Sequence, residues 1–71
     1  MDSEAPPIAG LSIDAHQSYA EARQSALAQF ERLYVQALLE AHEGKVSEAA
    51  EVAQVTRVHL YRLMRRHGIK P

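Results

Sequence analysis

From Ser18 to His42 the chain runs without glycine or proline, and its apolar residues recur at helical spacing. At about 100° per residue, Ala22, Ala26, Leu27, Phe30, Leu33, Tyr34, Ala37, Leu38 and Ala41 share one broad face. Ala28, Val35 and Leu39 make a second stripe on roughly the opposite side. Ser18 and Glu21 fit a capping box at the start, and Gly44 is a natural stop at the end. At 1.5 Å per residue such a helix is about 37 Å long, too long for two short helices to cover. One stripe needs one neighbour, so two stripes predict two: the helices of its own chain and a second copy. The candidates for the contact between copies are Leu27, Phe30, Tyr34, Val35, Leu38 and Leu39. Which of the two faces makes it stays open.

Two shorter patterns follow. Val46 to Ala53 carries Ala49, Ala50 and Ala53, small residues that allow close helix approach. Gln54-Val55 then forms a corner, and Thr56 is a good N-cap for a helix running to about His67. Leu60, Leu63, Met64 and His67 share its apolar face, and Gly68 with Ile69 beyond it gives a glycine stop with an apolar tuck. The pattern predicts an all-α chain with helices over about 18–42, 46–53 and 57–67. In a dimer, these would pack in an intermolecular four-helix arrangement. Residues 1–17, with Pro6-Pro7 and Gly10 among them, read as a flexible linker.

Residues 46–65 fit a helix-turn-helix frame. Small residues sit late in the first helix, Val55 plugs the corner, and Leu60 and Leu63 point inward. Gln54 departs from the frame, because the corner prefers glycine for its positive φ, and any other residue there costs about 1 kcal/mol or more. The remaining side of the last helix presents Arg57, Val58, His59 and Arg62 in its early and middle turns, where a recognition helix reaches base edges. Arginine there can donate two hydrogen bonds to guanine. Arg65, Arg66 and Lys70 at the far end, and Lys45, Ser47 and Thr56 near the helix starts, suit phosphates. Tyr61 suits either the DNA backbone or packing against the preceding helix.

Charge sharpens this picture. The 71 residues have a net charge of −1, but residues 1–43 hold seven acids and two arginines, a net −5, whereas residues 44–71 hold six bases and two acids, a net +4. No acid follows Glu51. A polyanion would therefore meet the C-terminal part. Arginine late in a helix is also favoured by the negative helix end, so basicity alone decides little. Its coincidence with the helix-turn-helix frame is the informative part.

Other chemistries find little support. There is no cysteine, which excludes disulfides and Cys-bearing zinc sites. His16, His42, His59 and His67 lack metal-ligand spacing, so no metal and no cofactor are expected. Glu43-Gly44-Lys45-Val46-Ser47 lacks the glycine and strand of a phosphate-binding loop, and no Ser/His/Asp cluster supports an enzyme. No apolar run approaches the roughly 20 residues of a membrane span, and no signal peptide is visible. A cytoplasmic location follows. A domain this small is marginal alone, which again favours a homodimer.

The stretch from Phe30 to Ile69 resembles the C-terminal Fis-type domain of NtrC-like, enhancer-binding response regulators. The likeness rests on Phe30-Glu31-Arg32-Leu33-Tyr34, Leu38-Leu39, Gly44, Val46-Ser47 with Ala49-Ala50, Thr56-Arg57, Leu60-Tyr61-Arg62 and His67-Gly68-Ile69. It covers residues 19–69. Gln54 in place of glycine and Lys45 in place of a frequent asparagine depart from the pattern. The resemblance implies dimerisation through the first helix and binding of double-stranded DNA at paired, palindromic upstream sites. It also implies a longer parent with an AAA+ ATPase that acts on sigma-54 RNA polymerase, often behind a receiver in a two-component system, with residues 18–71 as its DNA-anchoring domain. Two other readings remain: a dimerisation or docking module, or a Fis-like nucleoid protein without strong sequence readout.

Overall fold

The computed structural model describes residues 12–71, so the part of the expected linker from Met1 to Leu11 lies outside the described residues. The described residues are all-α, with α1 over Tyr19–Ala41, α2 over Val46–Ala53 and α3 over Arg57–Arg66. The described residues divide into two compact units, one ending at Phe30 and the other spanning Glu31–Pro71.

In the first unit, Asp14 makes a turn: its carboxylate accepts from the His16 amide at 2.9 Å and its carbonyl from the Gln17 amide at 3.2 Å. The capping box then forms as its spacing requires. Ser18 Oγ accepts from the Glu21 amide, and Glu21 Oε1 accepts from the Ser18 amide, both at 3.2 Å. Ser12 is held through its backbone, its amide donating to Gln29 Oε1 at 2.6 Å and its carbonyl accepting from Gln29 Nε2 at 3.0 Å.

In the second unit, Val35, Leu38 and Leu39 of α1, Val46, Ala49 and Ala50 of α2, and Leu60 and Met64 of α3 form the core, with Ala53, Val55, Leu63 and Ile69 packed at its edge. Ala49 and Ala50 are almost fully buried. A larger side chain at either position would hold α3 away from α2, and α2 and α3 do pack together. This core corrects the sequence reading of α1. Val35, Leu38 and Leu39, three of the six candidates for a contact between copies, instead face their own chain, with Val35 and Leu39 at 0% and 5% exposure. The wheel separates two stripes but cannot say which of them the short helices cover.

All three helices end by the same device. After each, a residue with positive φ lets two amides turn back to carbonyls of the last turn, a Schellman arrangement. At α1, Glu43 (φ 56°) bonds to the Glu40 carbonyl and the Gly44 amide reaches Leu39 at 2.8 Å. At α2, Gln54 (φ 60°) bonds to Glu51 and the Val55 amide reaches Ala50 at 3.1 Å. At α3, Gly68 (φ 66°) bonds to Arg65 and the Ile69 amide reaches Met64 at 2.8 Å. Val55 and Ile69, the residues that follow, tuck against the core. Only at α3 is the turning residue a glycine. At α1 it is Glu43, one residue before the Gly44 that the sequence suggested.

Gln54 therefore carries backbone strain at an exposed position where its side chain is not packed. Gln54→Gly is expected to stabilise the domain by about 0.5–1 kcal/mol, the strain removed exceeding the extra freedom glycine gives the unfolded chain. Thermal melting by circular dichroism should show a midpoint raised by a few degrees. An unchanged or lowered midpoint would count against strain at this corner.

Candidate nucleic-acid interface

The placement of α3 follows from its two faces. Leu60 and Met64 are buried, at 1% and 3% exposure, and fix the inward side. A helix puts Val58, Arg62 and Arg65, at i, i+4 and i+7, on the side directly opposite. All three are exposed, Val58 at 67%. His59 flanks this ridge and is also exposed, as is Tyr61 at 48%, whereas Arg57, exposed in the first turn, has the i, i+3, i+7 register of Leu60 and Met64. Of the four base-contact candidates, Val58, His59 and Arg62 thus lie on one open helix surface, with Val58 and Arg62 at its crest, and Arg57 stands apart from them, exposed at the helix start. Tyr61 sits beside the crest and retains open surface, so it is not sequestered against α2.

Thr56 starts this helix as expected. Its Oγ1 accepts from the His59 amide at 3.0 Å, worth about 1 kcal/mol, and its hydroxyl hydrogen remains available to an anion. Lys45 occupies the N-cap of α2 in an extended conformation, and no side chain caps that helix. With Ser47 exposed beside it, the start of α2 has the donors that suit a phosphate oxygen, although Glu48 in the same first turn opposes an anion. Lys70 is exposed beyond α3.

Arg66 is placed differently from its neighbour. Arg65 stands on the outward ridge, whereas Arg66 turns to Glu31, with Nη1 to Oε1 at 3.5 Å. His67 meets the same oxygen from Nε2 at 3.1 Å, its side chain only 9% exposed. Glu31 is the functional candidate that the sequence did not offer. It lies 35 and 36 residues from these partners, and no periodicity links positions so far apart.

Of the candidates on α1, Leu27, Phe30 and Tyr34 remain substantially exposed, at 45%, 56% and 41%. Val35, Leu38 and Leu39 are enclosed in the core. Among the described residues, no helix is long and apolar enough to cross a membrane.

Comparison with known proteins agrees with this frame. The family described as bacterial regulatory protein, Fis family, matches residues 26–67, which takes in most of α1 and all of α2 and α3. No curated protein and no solved structure matches the chain.

Proposed function

The chain belongs to the Fis family of bacterial regulatory proteins, and from that premise we propose that it anchors a sigma-54-dependent, enhancer-binding activator to paired half-sites in duplex DNA. That a Fis-type helix-turn-helix serves DNA binding by a regulator follows from the family match. The narrower reading draws on the likeness of Phe30-Glu31-Arg32-Leu33-Tyr34 and His67-Gly68-Ile69 to NtrC-like regulators. The polymerase contact and any ATPase would belong to a longer parent acting in the bacterial cytoplasm, often as a two-component response regulator. The observation that carries the proposal is the crest of α3. Val58, Arg62 and Arg65 stand opposite a packed core, and no acid lies anywhere on that helix.

In this reading α3 enters the major groove, Arg57, Val58, His59 and Arg62 face base edges, and Arg65 with Lys45, Ser47, Thr56, Tyr61 and Lys70 meets the backbone. Selection of bound sequences from a random duplex pool tests it, since a base-reading dimer should enrich an inverted repeat. Recovery of the unselected pool would favour a docking module or a protein without sequence readout.

Pairing of two copies would use the exposed residues Leu27, Phe30 and Tyr34 rather than the buried Val35 and Leu39. Phe30→Glu is expected to give a folded monomer by light scattering, because a charge at a contact between copies is strongly unfavourable. Binding to a paired site should weaken with it, while binding to a single half-site holds. A dimer as stable as wild type would remove Phe30 from the interface.

A further inference from the structure

The two arginines in the last turn of α3 are expected to act alike by sequence, yet they have different surroundings. Arg65 is exposed on the crest. Arg66 Nη1 lies 3.5 Å from Glu31 Oε1, and His67 Nε2 lies 3.1 Å from the same oxygen. A carboxylate only accepts, so both partners donate, and Nε2 of His67 must carry a hydrogen. Glu31 is 29% exposed and the His67 side chain 9%, while Arg66 is 59% exposed. The His67 contact is thus the sheltered anchor, and the Arg66 contact is the open one that another anion could replace. His67 is also the C-cap of α3, so the anchor holds the very end of the recognition helix.

We propose that Glu31 is a positioning residue for DNA binding: it seats the end of α3 through His67 and holds Arg66 off the phosphate backbone, leaving the distal phosphate contact to Arg65. The proposal rests on the DNA-binding reading above. Its logic is competition between anions. A phosphate recruiting Arg66 must first displace Glu31, and the carboxylate left behind would repel the DNA. Arg66 therefore adds little to binding while Glu31 keeps its charge. Glu31→Gln preserves an oxygen that His67 can donate to, removes the charge, and releases Arg66.

The test is fluorescence anisotropy of a labelled duplex carrying the selected site, at several salt concentrations, for wild type, Glu31→Gln, Arg65→Ala, Arg66→Ala and the Glu31→Gln/Arg66→Ala pair. Each phosphate neutralised contributes about 0.9 to the slope of log affinity against log salt. Arg65→Ala removes one contact from each copy of the dimer and should flatten the slope by about 1.8, and Arg66→Ala should leave it nearly unchanged. Glu31→Gln should steepen it by about 1.8, counted as one phosphate gained by each copy of the dimer, and tighten binding roughly two- to fivefold per copy, the scale of an exposed ion pair. In the pair, the gain should vanish.

A slope flattened by Arg66→Ala as much as by Arg65→Ala overturns the proposal, and this variant changes only an exposed side chain. A gain from Glu31→Gln that persists without Arg66 overturns it too, since the carboxylate would then be acting on DNA directly. Absence of salt-dependent binding by wild type would instead defeat the DNA-binding reading, and the proposal with it.

Discussion

Leu60→Ala is expected to leave the domain largely unfolded at room temperature. Leu60 is 1% exposed in the core that joins all three helices. Truncating a buried leucine costs about 2–5 kcal/mol, from lost transfer energy and the cavity left behind. A core this small rarely supplies more than about 3–5 kcal/mol in total, so the loss is comparable with the whole stability. Far-UV circular dichroism should show weak helicity and no cooperative thermal transition at concentrations where wild type melts sharply. A melting midpoint within a few degrees of wild type would mean that α3 is not held by this core. The same arithmetic changes how α1 should be probed. A charge at Val35, which is fully buried, would unfold the chain rather than separate two copies, so a loss of dimer in such a variant would say nothing about the interface. Phe30 is the cleaner probe.

The second large effect is on binding. Arg62→Ala should weaken binding to the preferred site by roughly 5- to 150-fold per half-site, corresponding to about 1–3 kcal/mol for each bidentate arginine–guanine contact. The loss should be confined to sites with the preferred base pair at one position of each half-site, so that the variant binds altered sites almost as well as the preferred one. Arg57→Ala should act in the same direction but less strongly, because Arg57 stands at the helix start and away from the ridge that Arg62 crowns. Neither substitution should change the melting temperature, since both side chains are exposed. Titration against a panel of single-base variants decides the matter. A uniform loss across the panel would reassign Arg62 to the phosphate backbone.

The local chemistry of this fold was legible in the sequence because it is written in short spacings. Ser18 with Glu21, and Thr56 three residues before His59, announce helix starts through bonds that span three residues. Ala49, Ala50, Val55 and Leu60 set the frame of the corner, and Gln54 adopts the positive φ that its position demands. The outward side of α3 followed once Leu60 and Met64 were known to face inward. What could not be read depends on tertiary contact. Val35 and Leu39 were visibly apolar, but only the folded chain shows that α2 and α3 cover them. Glu31 looked like one more surface acid, and its role emerges only when His67 and Arg66 are brought to it. Glu43 was passed over as a helix stop because Gly44 beside it offers the better-known signal.

The corner at Gln54 has one more consequence. With φ at 60° and ψ at 42°, its backbone is nearly the mirror image of the residues in the helices on either side. The chain thus inserts a single unit of opposite chirality between α2 and α3, and that one inversion redirects it. The Gln54 side chain is exposed, so selection at this position acts mainly on stereochemistry. Glycine, which has no handedness, and asparagine, which tolerates the inversion, are the natural replacements. Valine, isoleucine and threonine would be excluded by the backbone although the position is exposed.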